Sequence, residues 1–194
     1  MYSQYDEERH ILKAVAGITD GRFLDIGAWN AKTFSNTRAL YEMGWSGVLV
    51  EPSPEPFLGL LKEYGNDPRI ILVHAAVGFD GNCQKLYASA DGVSTASEEI
   101  HEIWRNDAHY DGSFWTPTIT IEQLSLQFGG GFNFVNFDAE GFSVPIFRRY
   151  LELGHCPRCV CVEHDGLVDE VEAIAHAARM RLVHFNGTNS VFSR

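Results

Sequence analysis

At 194 residues with a formal net charge of −11 at neutral pH, the chain is long enough to bury a core without disulfide or metal staples. It is also acidic enough to repel phosphate backbones and anionic lipid, which argues against nucleic acid or membrane as a partner. Its 45% hydrophobic and 21% charged residues exclude a disordered or collagen-like chain and fit one globular domain over residues 1–194. The nearest approach to a basic cluster is Arg148-Arg149, which reads as the solvated face of a helix. Three of the four cysteines, Cys156, Cys159 and Cys161, crowd together while Cys83 stands apart; this spacing suits reduced thiols better than a disulfide framework. Met1 to Glu8 carry neither a basic region nor an apolar run, and no stretch is long and apolar enough for a bilayer. A cytoplasmic location is the expectation.

Taken in chain order, the first seventeen residues predict a helix with Ile11, Leu12 and Val15 on one face. Arg22 to Gly27 is a short apolar run ending in an acid and a glycine. Thr33 to Met43 has helical spacing and closes at Gly44. Trp45 to Val50 predicts a second strand, Glu55 to Tyr64 a helix, and Arg69 to Val77 a third strand before the turn at Gly78–Gly81. Gln84 to Ser89 reads as a strand, Ser97 to Asn106 as a helix, and Thr116 to Ile121 as an edge strand. Phe132 to Asp138 and Cys159 to Glu163 are strands, each followed by a helix, Val144 to Leu153 and Val168 to Ala178. Arg181–Phe185 and Ser190–Phe192 flank Asn186-Gly187-Thr188-Asn189, a hairpin signal.

Strands alternating with helices predict βαβ units, right-handed crossovers and a parallel sheet covered on both faces. The expected architecture is therefore α/β and doubly wound: a mostly parallel, seven-stranded, Rossmann-like sheet finished by a C-terminal antiparallel hairpin. Residues 88–117, rich in Ser, Asp, His, Tyr and Trp, read equally as a substrate lid and as a plain connection.

Ligands of open α/β sheets bind outside the carboxyl ends of the strands. Here Asp25, Glu51, Asp138 and Asp165 stand at the ends of core strands, which predicts four carboxylates on one rim. Gly27 marks a sharp turn with close approach of the backbone to a ligand. The helix expected from Thr33 would aim its free N–H groups at that turn. Glu51, 26 residues after Asp25, is placed to accept both hydroxyls of a ribose. A dinucleotide site needs G-x-G-x-x-G, whereas this turn, Asp25-Ile-Gly27-Ala-Trp29-Asn-Ala31, has one glycine. Its acid repels a pyrophosphate and suits an ammonium.

Asp25-Ile-Gly27-Ala28, Val50-Glu51-Pro52-Ser53-Pro54, Ala75-Ala76-Val77-Gly78, Thr120-Ile-Glu-Gln-Leu124 and Asp138-Ala-Glu140-Gly141 follow one another in an order and spacing that resembles the FkbM-type methyltransferases, over roughly residues 20 to 194. The resemblance implies the class I methyltransferase fold, S-adenosylmethionine as donor, and O-methylation of a small acceptor such as a sugar or natural product. It implies cofactor contacts at Asp25, Gly27, Ala28, Trp29, Glu51, Pro52, Ser53, Ala76 and Asp138. The chain departs from the family where Trp29 replaces Asn, Ala31 replaces Gly, Ser143 replaces a second Glu, and Asn136 replaces Lys.

Methyl transfer to oxygen needs an in-line approach and a general base. Asp138, Glu140 and His164 are the candidates, with His164 titrating in the useful range. Mg²⁺ between Asp138 and Asp165 is the metal expectation, since hard carboxylate oxygens suit it. Cys156, Cys159 and Cys161 with His155 make half a zinc site, set against a reading of Cys159 and Cys161 as small apolar strand residues. Trp104, His109, Tyr110 and Trp115 are candidates to stack on a sugar, or to anchor their loop to the core. A catalytically degenerate adenosine-binding module is the alternative within this fold, and a nicotinamide oxidoreductase the alternative outside it. Neither the acceptor nor the oligomeric state is legible.

Overall fold

Each face of the central sheet is built from every second residue of its strands. A computed structural model of the chain describes residues 1–89 and 92–194. Strands β1 (Arg22–Ile26), β2 (Ser46–Val50) and β3 (Ile70–Val73) run parallel. On the other side of β1 lie β7 (Phe134–Phe137) and β8 (Cys159–Glu163), also parallel. The hairpin β9 (Arg181–Phe185) and β10 (Asn189–Ser193) completes a seven-stranded sheet in the order β3-β2-β1-β7-β8-β10-β9. Strand β10 is antiparallel to both its neighbours. This is the doubly wound, Rossmann-like architecture the sequence predicts, including the terminal hairpin.

Helices cover both faces. Leu24, Ile26, Val135, Phe137, Val160 and Val162 point to one side, where α5 (Ile121–Phe128), α6 (Ser143–Glu152) and α7 (Val168–Ala177) bury Leu124, Phe147 and Val171 against them. Phe23, Phe134, Cys159 and Cys161 point to the other, where α1 (Glu7–Ala14), α2 (Arg38–Glu42) and α3 (Pro54–Tyr64) supply Ile11, Leu40 and Leu60. Cys159 and Cys161 are thus apolar core residues, while Cys156 is exposed. Among the described residues these thiols form no group of potential metal ligands. No helix of the described residues is long and apolar enough to cross a membrane.

Several elements depart from the sequence expectation. The predicted third strand splits: β3 stays in the main sheet, and β4 (Ala76–Gly78) leaves it to pair with β6 (Tyr110–Thr120). Strand β6 is no edge strand, since β5 (Cys83–Ser89) pairs on its other side. Helix α2 begins at Arg38 rather than near Thr33, because the preceding polar side chains turn inward to the site. Helix α5 was not expected, although Thr120 and Gln123 form a capping box at its start. The segment 88–117 contains α4 (Glu98–Trp104), capped by Ser97; residues 90 and 91 of that segment lie outside the described residues.

Candidate cofactor and acceptor site

The parallel strands end together, and their carboxyl ends open into one cavity of about 600 Å³, a volume suited to a small molecule. The residues predicted for the cofactor line it: Asp25, Gly27, Ala28 and Trp29 after β1, Glu51, Pro52 and Ser53 after β2, and Ala76 at β4. Asp138 and Glu140 after β7, and His164 and Asp165 after β8, close the other side. No Lys or Arg lies among the described lining residues.

The first turn is fixed from two directions. Gly27 has φ +79°, and a Cβ there would collide with the backbone carbonyl of Asp138. The sharp turn is as expected, and the neighbouring strand end already requires its glycine, whatever approaches from the cavity. Trp29 follows with φ 37°, a left-handed backbone that bulky residues seldom adopt. Its N–H donates to Glu51 Oε2 at 2.9 Å, and the Ser53 N–H donates to Glu51 Oε1 at 2.7 Å. These N–H groups take two of the roughly four lone-pair sites of that carboxylate and the Ser53 side chain bonds to it as well, which leaves one site for a ligand. Burial pushes Glu51 up to about 7, against the lowering effect of the two N–H groups. The Trp29 ring stacks on Phe34, with centroids 5.9 Å apart.

Asp25 points to the α1–α3 side and is buried. Thr37 Oγ1 donates to its Oδ2 at 2.5 Å, and Asn136 Nδ2 donates to its Oδ1 at 3.0 Å. Asn36 Nδ2 donates in turn to Asn136 Oδ1 at 3.0 Å. Burial raises the Asp25 carboxyl, opposed by Thr37 and Asn136. Asn36 and Thr37 escaped the sequence reading, and Asn136 entered it only as a departure from the family pattern. The run Ser35-Asn36-Thr37 carries good N-cap residues before Arg38, a signal that the helix starts late. The pairing of Asp25 with Asn136, and of Asn136 with Cys161, is a matter of strand register.

Across the cavity, Asp138, Glu140 and Glu163 bring carboxylate oxygens within 4.8 Å of one another. Glu163, to which the sequence assigned no role, is buried at the end of β8 and hydrogen-bonds to Asp138. Burial raises all three carboxyls, and repulsion from neighbouring acids adds to it. That repulsion comes from Asp138 and Asp165 at Glu140 and Glu163, and from Asp25, Asp165 and Glu51 at Asp138, where the Glu163 hydrogen bond acts in the opposite direction. At such spacing neighbouring carboxyls hold protons between them rather than all ionising. Glu140 has φ 40°, and its backbone carbonyl accepts from Thr95 Oγ1 at 2.7 Å. That bond fastens the α4 segment to the turn after β7. Asp165 stands outside the group of three; its carboxyl is raised by burial, and its Oδ2 accepts the Gly141 N–H at 3.2 Å.

His164 lines the cavity, but its ring is engaged with backbone. The Gly166 N–H donates to Nδ1 at 3.2 Å, so Nε2 carries the proton and donates to the Asn186 carbonyl at 3.2 Å. The ring also stacks on Phe185. Of the aromatics in segment 88–117, Trp104 lines the cavity with Ile100 and Ile103. Tyr110 instead packs on His101 and donates its hydroxyl to the Val93 carbonyl. Trp115 is exposed, and His109 pairs with Asp111 at the surface.

No protein-family model matches the chain, and no curated protein matches its sequence. Solved structures resemble it in outline. A TehB-like SAM-dependent methyltransferase from Corynebacterium glutamicum superposes with a TM-score of 0.47 at 11% identity, over 99% of this chain and 89% of that one. The SAH-bound methyltransferase PaMTH1 of Podospora anserina gives 0.48 at 10% identity, over 100% and 79%. The fibrillarin pre-rRNA processing protein of Methanococcus jannaschii gives 0.47 at 12%, over 97% and 76%.

Proposed function

We propose that the chain is an S-adenosylmethionine-dependent methyltransferase that methylates an oxygen of a small polar acceptor, such as a sugar or natural product. One observation carries this reading. The buried Glu51 carboxylate, with acceptor capacity left beyond its bonds to Trp29 and Ser53, faces the same cavity as the single-glycine turn and the buried Asp25. A ribose hydroxyl fits the first and an ammonium fits the second, whereas no glycine-rich loop offers itself to a pyrophosphate. The cavity has no basic residue for a phosphate-bearing acceptor, in keeping with the overall charge of −11.

S-adenosylmethionine supplies a methyl group made electrophilic by its sulfonium. The residues of the chain would bind, orient and handle the proton. Asp25 takes the amino end of the cofactor, Glu51 its ribose, and Ala28, Pro52, Ser53 and Ala76 its adenosine surroundings. Glu140, whose carboxyl burial raises to about 9, receives the proton as general base once it is ionised, so turnover rises with pH through that range. Asp138 and Glu163 hold a shared proton beside it and keep its charge in check. The doubly bonded His164 serves as a support for the turn after β8. Residues 88–117, through Ile100, Ile103 and Trp104, cover the acceptor.

Asp138, Glu140 and Glu163 also fit Mg²⁺ by donor type and spacing, a set that replaces the pair Asp138 and Asp165 expected from the sequence. Mg²⁺ there would supply Lewis-acid polarisation of an acceptor oxygen. Trp29, whose strained backbone sets a stacked Trp29–Phe34 pair at the cofactor side, favours one second reading, a binding module without turnover.

Calorimetric titration with S-adenosylmethionine and S-adenosylhomocysteine, with NAD as control, tests the proposal. Saturable binding of the first two alone supports it, and binding of NAD alone overturns it. Transfer of labelled methyl to candidate acceptors, with and without EDTA, then separates the enzyme from the binding module.

A further inference from the structure

The polar chain beneath the cavity ends in an atom with nothing to bond. Asp25 offers only acceptors when ionised, so the Asn136 amide must present Nδ2 to it. Asn136 thereby turns Oδ1 toward Asn36, which must answer with its own Nδ2. Nδ2 of Asn36 also lies 3.6 Å from Cys161 Sγ. The amide orientation is thus dictated link by link from the carboxylate, and Asn36 Oδ1 is left over. It is buried and has no hydrogen-bond partner among the described residues.

Asn36 is only 6% exposed, yet lines the cavity. A buried unsatisfied acceptor in a polar network calls for a donor. The same place lacks a positive charge, because Asp25 is buried with neutral donors only and no Lys or Arg lines the cavity among the described residues. A water would meet the first requirement but not the second. A cationic donor meets both.

We propose that Asn36 positions the cofactor: its Oδ1 accepts a hydrogen bond from the α-ammonium of S-adenosylmethionine, next to the Asp25 carboxylate. This rests on the proposed cofactor and deepens it, since it assigns the end of the ligand that this network recognises. The adenosine end lies with Glu51, so the two ends are testable separately.

The experiment is a cycle between ligand and protein. Wild type, Asn36→Leu and Asn36→Ala are titrated with S-adenosylhomocysteine, its α-deamino analogue and methylthioadenosine, which lacks the amino-acid end except for its thioether. A hydrogen bond from a charged donor predicts that wild type prefers the amine-bearing ligand about tenfold or more over the deamino analogue. Both variants should lose most of that preference while binding methylthioadenosine within about twofold of wild type, which also reports their folding. Equal binding of amine and deamino ligands by wild type overturns the proposal without any variant. So does a preference that survives in both variants, or an equal loss for all three ligands, which would mark Asn36 as a structural residue. Failure of wild type to bind any adenosine ligand instead removes the proposed function, and this inference with it.

Discussion

Replacing Glu51 by Gln should separate binding from stability in opposite directions. In the folded chain the Glu51 carboxyl is held at about 7, chiefly by burial, against an ordinary value of 4.5. A carboxyl raised on folding costs nothing below its unfolded value and its full amount above its folded value. The shift of some 2.5 units corresponds to about 3 kcal/mol, absent near pH 4 and fully present by pH 8. The amide introduced by Glu51→Gln does not titrate. Its NH2 faces the N–H of Trp29 or Ser53 at every pH, a constant loss of about 1–3 kcal/mol. The testable quantity is therefore the change with pH: relative to wild type the variant should gain about 3 kcal/mol, or roughly 6–12 °C for a chain of this size, between pH 4.5 and pH 8. Binding moves the other way. One amide oxygen replaces two carboxylate oxygens already engaged with Trp29 and Ser53, and ribose hydroxyls lose a charged acceptor. Affinity for S-adenosylhomocysteine should fall about 10- to 100-fold. Thermal unfolding at both pH values and titration calorimetry at pH 8 read these quantities. Unchanged affinity, or a stability difference from wild type that is the same at both pH values, would refute the reasoning.

Gly27→Ala should cost more than about 3 kcal/mol, because it combines a positive φ with a collision against the Asp138 carbonyl; urea unfolding measures this, and a cost under about 1 kcal/mol contradicts the turn geometry. Binding of S-adenosylhomocysteine near pH 7 should release protons, since a cation lowers the raised carboxyls around it; calorimetry in two buffers of different ionisation heat detects it, and net proton uptake counts against the site. With an acceptor from the screen, Glu140→Gln should slow methyl transfer about 10²- to 10⁴-fold at nearly unchanged cofactor affinity. His164→Gln should slow it less than about tenfold, because both ring nitrogens are already bonded to backbone; the reverse order would make His164 the base.

Strands β1, β2, β7 and β8 were legible because buried parallel strands are short, nearly unbroken apolar runs closed by a polar residue. The rim acids followed from those strand ends without any tertiary information. Legibility stopped where a residue's role depends on a partner distant in sequence. The Thr116–Ile121 alternation shows a strand with two unlike faces, but nothing in it reveals pairing with β4 on one side and β5 on the other. The break between Val73 and Ala76 is likewise decided by where β6 lies. Thr33–Thr37 has helical spacing, yet Asn36 and Thr37 bond to Asn136 and Asp25, 100 and 12 residues away, and the helix is postponed to Arg38. Two misses had local signals that could have been read directly: the capping box Thr120-x-x-Gln123 of α5 and the N-cap residues Ser35-Asn36-Thr37 before α2.

The same long-range register explains why the site is costly to fold. Asp25 and Asn136 are aligned partners on adjacent strands, as are Asn136 and Cys161. Asp138 and Glu163, two residues further on, therefore emerge on the same face at the sheet's rim. Alternation alone brings Asp25, Asp138 and Glu163 together, with burial raising each carboxyl and no basic residue among the described lining of their cavity. Such an arrangement opposes folding unless protons or a cation offset it. Apolar residues of similar volume would avoid that penalty, so the stability of the fold does not account for the acids. A ligand that brings positive charge to this rim does: it offsets the buried carboxylates and binds the folded chain alone, so its affinity adds to stability by mass action.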